Sequence, residues 1–419
     1  MNVRKLKERK HTMPISPKLF ANRKTALALV LISTCALSMV AIKPICASGD
    51  VWESKAPMPT PRSGFGIATY QNKIYCIGGS TDSGVTGVNE VYDPATNTWE
   101  IRAPMPTPLN SFGTVVYHGK IYCIGGSVNE VYDPATDTWA LKTPMPTARE
   151  ALQANLVDDR IYLIGGYPNY TLNEVYDITT DSWSTKTPMP NGATYYASAV
   201  VDDKIYIIGN SNVLFPNSNQ IYDPTTDKWS AGSSAPTFFI MGAAGATTGA
   251  MTLKRIYVLG QPATNTFEAL SDSSTFNKIY DPKTDSWTIG TDLPTHRSLF
   301  GVAVVNDKIY VTGGFITSYR NELARMNNEP TFTKVGVNEA YTPIGYGTPD
   351  PDYEPPAPSP TPSPTPSPTA SGQQPASSPD SQQTTLQPEL VYATAAAAAI
   401  TIIAVAAVAF KKRRSKNTN

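Results

Sequence analysis

Short runs of alternating apolar and polar residues recur along the middle of the chain, and clusters of Gly, Pro, Asp and Asn separate them. The run KIYCIG at 73–78 is followed by a second Gly, and the run NEVYD at 89–93 is followed by Pro. Alternation with a period of two residues predicts β-strands, and the residues between the runs predict tight turns. The pattern therefore predicts an all-β fold of many short strands.

The strands belong to a unit that is repeated along the chain. The first unit reads GFGIATYQNKIYCIGGS and then VNEVYDPATNTWE, and the second reads SFGTVVYHGKIYCIGGS and then VNEVYDPATDTWA. Later units keep the same order with more substitutions. Such self-similarity predicts a stack or ring of equivalent supersecondary units. The aligned tyrosines are Tyr92, Tyr132, Tyr176, Tyr222, Tyr280 and Tyr341, at spacings of 40, 44, 46, 58 and 61 residues.

Each unit is predicted to contain four strands. The first is small and apolar, which suits innermost strands converging on an axis where bulky side chains would collide. The second ends in glycines that permit positive φ or close backbone approach, and the third carries Tyr before an Asp-Pro turn. The fourth begins with Trp, which can fill the gap between neighbouring sheets. The glycines are Gly78, Gly79, Gly125, Gly126, Gly165, Gly166, Gly313 and Gly314, and the tryptophans are Trp52, Trp99, Trp139, Trp183, Trp229 and Trp287.

The Gly pair, Tyr and Trp at this spacing resemble the kelch motif over nearly all of residues 51–347. The resemblance implies a β-propeller, and six Tyr with six Trp elements predict six blades. Trp52 precedes the first unit, whereas no Trp follows Tyr341. The strand around Trp52 is therefore predicted to complete the last blade, which leaves residues 315–336 as a loop. The alternative register uses Phe332 in place of the missing Trp and would leave the Trp52 strand without a partner.

The N-terminal segment has the order of a secretory signal. Residues 1–24 carry eight bases and one acid, and an apolar run from Thr25 to Ile42 follows them. Small residues at Ala47 and Ser48 then suit a cleavage site. The sequence predicts a signal peptide over residues 1–47, with an uncleaved anchor as the alternative, and the propeller over residues 48–348.

The C-terminal segments predict attachment to a membrane. Residues 349–389 are rich in Pro, Ser and Thr and have no apolar periodicity, which predicts a disordered, extended stalk. Residues 390–410 carry no charge after Glu389 and are long enough, at about 1.5 Å per residue, to span a bilayer. Five bases in the tail at 411–419 mark the cytoplasmic side. The prediction is a single-pass cell-surface protein with its propeller outside and its C-terminus in the cytoplasm.

Charge changes this picture once it is divided among the segments. The whole chain has 34 bases and 34 acids, so its net charge is zero, which excludes a strongly basic nucleic-acid binder. The signal region carries +8 and the tail +5, whereas residues 48–348 hold 20 bases and 28 acids. An extracellular partner would therefore meet an acidic propeller.

The insertions between units point to one binding face. Strand alternation places the connections after the second strands and before the first strands on the same face, and all the length variation is predicted to lie there. Arg62, Arg149 and Arg297 each open a first strand, where they either ring the channel mouth or pair with turn carbonyls and a neighbouring acid. The other candidate binding residues are His296, Tyr170, Tyr195, Phe215, Tyr319 and Arg320, and Asn169 begins a glycosylation sequon.

Catalytic and metal chemistry is weakly represented. His118 and His296 are predicted to lie at opposite ends of the propeller, so the sequence predicts no metal site and no cofactor. Cys76 and Cys123 occupy equivalent positions in adjacent units, too far apart for a disulfide, and are predicted to be buried free thiols. Both aspartates of each DPATDTW-like turn are predicted to cap it rather than to bind calcium.

The resulting prediction is an interaction module that binds an extracellular protein or glycan through its variable loops, with no assigned catalytic residue. The alternative is a sugar isomerase, similar to the six-bladed kelch mutarotases such as N-acetylneuraminate epimerase. In that case Arg149 and Glu150 at the channel mouth would be the residues to test. A third interpretation is a self-associating architectural component of a surface layer.

Overall fold

A computed structural model of the protein describes residues 49–210, 217–239, 241–262, 275–319 and 330–355. The predicted signal at 1–47, the stalk beyond residue 355, the apolar segment at 390–410 and the basic tail lie outside the described residues. Among the residues that are described, no helix is long and apolar enough to cross a membrane.

Six antiparallel sheets of four strands each form the blades. Blade 1 contains β2 (Gly66–Tyr70), β3 (Lys73–Ile77), β6 (Asn89–Asp93) and β7 (Thr98–Arg102). Blade 2 contains β8 (Gly113–Tyr117), β9 (Lys120–Gly125), β10 (Val128–Asp133) and β11 (Thr138–Leu141). Blade 3 contains β12 (Ala154–Val157), β13 (Arg160–Ile164), β14 (Asn173–Asp177) and β15 (Ser182–Thr185). Blade 4 contains β16 (Ala197–Val201), β17 (Lys204–Ile208), β18 (Asn219–Asp223) and β19 (Lys228–Ala231). Blade 5 contains β20 (Ala243–Ala246), β21 (Ile256–Gly260), β22 (Phe276–Asp281) and β23 (Ser286–Ile289). Blade 6 contains β24 (Gly301–Val305), β25 (Lys308–Thr312), β28 (Asn338–Thr342) and β1 (Val51–Lys55).

The innermost strands β2, β8, β12, β16, β20 and β24 contact one another in a closed circuit. Their small residues are required by this approach. A Cβ on Gly113 would lie 2.5 Å from the backbone nitrogen of Ala154, and one on Gly301 would lie 2.8 Å from Ile67 Cδ1. Between the sheets, buried apolar residues of adjacent blades form six separate clusters. The core is therefore divided among the gaps between blades.

The N-terminal strand closes the ring, as predicted. Strand β1 pairs with β28, and this register places Trp52 opposite Tyr341. Phe332 does not replace a tryptophan, because it lies in β27 (Pro330–Lys334), which pairs with β26 (Phe315–Tyr319) outside the six sheets. The prediction of a loop over 315–336 was wrong in this respect. The hairpin forms because its strands are rich in Thr and aromatic residues, and the rings of Phe315 and Phe332 meet edge to face at 5.2 Å.

On the face opposite the long loops, one connection and the segment after β28 extend the described propeller. Residues 247–255 of blade 5 form a longer connection than the hairpins of the other blades, so length variation is not confined to one face. This connection contacts the segment after β28, where Gly347 N donates to Met251 O at 2.7 Å and Lys254 N donates to Asp350 Oδ2 at 3.0 Å. The first residues of the predicted stalk thus contact the propeller.

A Tyr–Asp–Trp clamp joins each blade to the blade before it. In blade 2, Asp137 Oδ1 accepts hydrogen bonds from Tyr132 Oη at 2.6 Å and from Ala103 N at 2.8 Å. Trp139 Nε1 donates to Ala103 O at 2.9 Å, and its ring lies 5.0 Å from that of Tyr132. Ala103 follows the outermost strand of blade 1, so the clamp satisfies both of its backbone polar groups.

The clamp recurs in all six blades. In blade 6 its aspartate and tryptophan, Asp50 and Trp52, come from the N-terminus, and its tyrosine is Tyr341. The remaining sets are Tyr92, Asn97 and Trp99 on Ala56; Tyr176, Asp181 and Trp183 on Thr143; Tyr222, Asp227 and Trp229 on Thr187; and Tyr280, Asp285 and Trp287 on Ser233.

The two aspartates of each turn have different roles. The first caps the turn as predicted, since Asp133 Oδ1 accepts from Ala135 N at 3.0 Å. The second was predicted to cap the turn too, but Asp137 Oδ1 accepts from Tyr132 Oη of its own blade and from Ala103 N of the preceding blade. Asp137 itself has left-handed backbone, with φ of 55°.

We expect these clamps to make stability sensitive to acid. Hydrogen bonds from Tyr132 and then Ala103 lower the pKa of Asp137 below its ordinary value, so the unfolded chain binds more protons as the pH falls. The stabilisation is present above the unfolded-state pKa and is lost as the pH falls through the lower native pKa. Asp137→Asn, which copies the amide acceptor Asn97 of blade 1, should reduce the loss of stability between about pH 6 and about pH 3.

Urea denaturation of the full chain at several pH values measures this effect. The reverse substitution, Asn97→Asp, is the matched control and should steepen the dependence. If the two variants and the parent lose stability in parallel, the clamp carboxylates are not its source.

Candidate functional site

One face of the propeller, the loop face, carries the connections between the second and third strands of the blades. These connections lie at 78–88, 165–172, 209–218, 261–275 and 313–337. Blade 2 differs, because β9 ends at Gly125 and β10 begins at Val128, so only Gly126 and Ser127 join them. The loop face therefore has long connections over five blades and a gap over blade 2.

A cycle of six backbone hydrogen bonds surrounds the mouth of the central channel on this face. The residue two positions before each inner strand, or three positions before it in blade 3, donates its N–H to the carbonyl of its counterpart in the preceding blade, at 2.6–3.4 Å. All six have left-handed backbone, with φ between 50° and 62°, and they rim a cavity of about 90 Å³. The residues are Gly64, Ser111, Ala151, Tyr195, Met241 and Leu299. Sequence reasoning missed this cycle because five of its members are not the Gly that left-handed backbone favours.

The three predicted arginines lie beneath this rim, with their side chains fully buried. Arg62 Nη2 pairs with Glu90 Oε2 at 2.8 Å, and Arg62 also donates to the carbonyls of Gly78 and Val88. Arg149 pairs with Glu174 and Arg297 with Glu339, each at 2.8 Å. These contacts are those of the second sequence interpretation, in which each arginine binds turn carbonyls and a neighbouring acid. Burial lowers the pKa of Arg62 and of Arg297, and the glutamates oppose this effect.

Blade 2 retains the glutamate but lacks the arginine. Leu109 occupies the position that Arg62 holds in blade 1, and Glu130 corresponds to Glu90. Glu130 is fully buried. Among the described residues, its Oε1 has no hydrogen-bond partner and its Oε2 accepts only from Thr107 N at 3.4 Å. A buried carboxylate without a cation costs stability. The repeat is therefore complete in blades 1, 3 and 6 and mismatched in blade 2.

The two glutamates should respond oppositely to the same substitution. Glu90→Gln leaves Arg62 buried without its counter-charge and should lower the free energy of unfolding by about 3 kcal/mol. Glu130→Gln removes an unpaired buried charge and should leave the stability unchanged or raise it. Chemical denaturation of the full chain compares the two directly, and equal losses in both variants would contradict the assignment of the arginine pairs.

Some of the other predicted binding residues have described side chains, and the rest do not. Tyr170 is exposed, and its backbone O accepts from Ala193 N at 2.9 Å, which brings it beside the segment that carries Tyr195. His296 is partly buried and precedes Arg297 in blade 6. Asn169 is exposed in the connection of blade 3, and its glycosylation stays a prediction. Tyr319 ends β26, its side chain is outside the described set, and Phe215 and Arg320 lie outside the described residues altogether.

Glu150 and Tyr167 form a corner of the mouth at blade 3. Their backbones exchange hydrogen bonds of 3.0 and 2.8 Å, and the ring of Tyr170 lies 6.1 Å from that of Tyr167. Burial raises the pKa of Glu150. Sequence reasoning singled out Glu150 only for the mutarotase alternative and missed Tyr167, because no repeat position marks it. Since Arg149 is buried against Glu174, Glu150 alone of the two residues named for that alternative is partly exposed.

Cys76 and Cys123 have no disulfide partner among the described residues and are fully buried, as predicted. Burial raises the pKa of Cys76 to about 12 and also raises the pKa of Cys123. Thiolate is therefore scarce at both positions, and both thiols are unreactive toward solvent reagents.

Comparison with known proteins points to one repeat family. The KLHDC2/KLHL20/DRC7 Kelch-repeats domain matches residues 131–314, and the Kelch motif matches residues 61–106 and 108–146. Kelch-like protein 40 of Xenopus laevis is 46% identical over 46 residues, which are 11% of this chain and 8% of that protein. These matches cover blades 1 to 5 and the first two strands of blade 6, but neither β28 nor β1. With its closed ring of four-stranded sheets, the chain belongs to the Kelch-repeat β-propeller family.

Proposed function

We propose that the protein is an interaction module that binds a protein or glycan through its loop face. The observation that carries the proposal is the difference between the two faces. Long connections crown five blades on the loop face, whereas two-residue turns such as Gln71–Asn72 and Asp158–Asp159 join the first two strands of five blades on the opposite face. Kelch propellers are in general protein-interaction modules, which supports this assignment.

The arrangement of the conserved elements of the repeat supports the same conclusion. The clamps, arginine pairs and inner glycines hold the blades together, and the polar groups of the arginine pairs are used in contacts within the ring. Loop residues enter the arginine contacts through backbone carbonyls at the ends of the connections, such as Gly78 O and Val88 O, so the loop side chains can vary without loss of the ring. Binding is therefore assigned to the loops and the channel mouth.

Site-specific cross-linking tests which face binds. A photo-reactive amino acid replaces Asp82 in the β4 (Ser80–Thr81) and β5 (Gly84–Val85) hairpin on the loop face, or Ala95 on the opposite face of the same blade. Both residues are exposed. With surface proteins and glycans of the producing cells, position 82 should yield several times as many adducts of the full chain as position 95. Equal yields, or an excess at position 95, would contradict the proposal.

We further propose that the propeller lies outside the cell, attached by the segment at 390–410. Support comes from the sequence alone: a basic and then apolar N-terminus, a Pro-rich connection, and an uncharged run followed by five bases.

Cysteine labelling on intact cells tests this topology. Because Cys76 and Cys123 are buried, background labelling of the propeller is low. In the full chain, Asp82→Cys should react with a membrane-impermeant maleimide, whereas Ser415→Cys in the tail should react only after permeabilisation. The unmodified chain reports any labelling of Cys35 and Cys46. Labelling of Ser415→Cys on intact cells, or protection of Asp82→Cys, would refute the orientation.

A further inference from the structure

The position just before the hydrogen-bond cycle is neutral in every blade except blade 3. In blade order its residues are Ser63, Asn110, Glu150, Thr194, Ile240 and Ser298. Blade 1 shows the contrast, because the bridge there joins Ser63 to Ser80, whereas the equivalent bridge in blade 3 joins Glu150 to Tyr167. Blade 3 thus places an acid and an aromatic ring where blade 1 has two serines.

The backbone pairing places both side chains on the same side. Residues that exchange two hydrogen bonds in an antiparallel bridge have Cα atoms about 5.5 Å apart and side chains on one face. Tyr170 adds a second ring at 6.1 Å from Tyr167, with the two planes at 68°. Tyr167 is 36% exposed and Tyr170 39% exposed, so both rings are open to a ligand. We call Glu150, Tyr167 and Tyr170 the blade 3 corner.

No cation of the described chain neutralises this corner. The Glu150 carboxylate has no ion pair or hydrogen bond among the described residues, and the adjacent Arg149 points to Glu174 instead. Burial is the only cause that raises the pKa of Glu150, and its charge helps to raise the pKa of Tyr195 to about 12, after burial of that ring. A partly desolvated carboxylate beside aromatic faces is stabilised by an incoming cation.

The gap over blade 2 leaves the corner open from one side. Gly126 exchanges backbone hydrogen bonds of 2.8 and 3.0 Å with Arg149, the residue before Glu150. No atom lies within 4 Å of the place that a Cβ on Gly126 would occupy, and Ser127 beside it is exposed. The connection of blade 2 beside the corner is therefore only the two-residue turn of Gly126 and Ser127.

We propose that the blade 3 corner binds a lysine or arginine side chain of a partner protein. The Glu150 carboxylate accepts its N–H groups, and the rings of Tyr167 and Tyr170 contact its cationic face. The inference rests on the proposed function of the loop face and specifies the chemistry of the partner. The proposed site recognises basic residues at one blade, where the described rim positions of the other blades are uncharged.

A pair of probe peptides that differ only in charge tests the proposal. Acetyl-Gly-Gly-Arg-Gly-Gly-amide and its citrulline analogue have nearly the same shape, but citrulline is neutral. Titrated against the full chain and followed by saturation-transfer NMR, the arginine peptide should bind about tenfold more tightly, which corresponds to about 1.4 kcal/mol. Glu150→Gln should remove this preference, and Tyr167→Leu should reduce it several-fold.

Matched controls distinguish the corner from general acidity. Asp82→Asn removes an exposed acid of the loop face on blade 1 and should leave the preference intact. Ser127→Trp should block approach through the gap and weaken binding of the arginine peptide. Urea denaturation midpoints are measured for all variants to check that they remain folded. If Glu150→Gln does not fold, Tyr167→Leu provides a second test.

Three outcomes would overturn the inference. The first is equal binding of the two peptides by the parent chain, and the second is an arginine preference that survives Glu150→Gln. The third is binding of methyl β-galactoside that depends on Glu150 without any arginine preference, which would make the corner a sugar site. None of these outcomes alters the cross-linking comparison of positions 82 and 95, so failure of the inference is distinguishable from failure of the proposed function.

Discussion

The propeller depends on the Tyr–Asp–Trp clamp, which joins each blade to the blade before it, and on the repetition of this clamp around a closed ring. A four-stranded sheet exposes two faces, and only a neighbour on each side covers both. Each clamp holds both backbone groups of one residue just past the outer strand of the preceding blade, so the blades are joined at their rims as well as at their inner strands. The sixth clamp joins Asp50 to Tyr341, which are 291 residues apart in the chain. Closure is therefore a tertiary event that engages both ends of the domain.

Once the ring is closed by these contacts, departures from the repeat become informative. The arginine pair is complete in three blades, absent with its acid in others, and broken only in blade 2, where Glu130 is buried without its arginine. In the neighbouring blade 3, the position just before the rim carries an acid, Glu150, where the other blades have neutral residues. The two departures meet where Gly126 bonds to Arg149. The side chains that depart from the repeat are therefore concentrated between blades 2 and 3.

The rim of the channel shows how backbone geometry limits what a ligand can contact. Six N–H groups and six carbonyls of the cycle are already paired, so the rim offers a ligand few free backbone donors. Recognition then falls to side chains on and just before the rim, and to the connections above it. This division of labour explains why the arginines, which a sequence alignment of the repeats places at the mouth, serve the ring rather than the surface.

Six blades, the role of Trp52 as the last strand and the buried free thiols of Cys76 and Cys123 followed from the sequence by itself. They did so because each depends on local pattern and on counting equivalent positions, and equivalent positions in a ring have equivalent environments. Only the tertiary structure decided the depth of Arg62, the left-handed rim at non-glycine residues, the β26–β27 hairpin and the pairing of Glu150 with Tyr167. These features depend on which groups meet across blades or between distant segments, and an arginine that opens a strand reads the same whether an acid lies beneath it or a ligand lies above it.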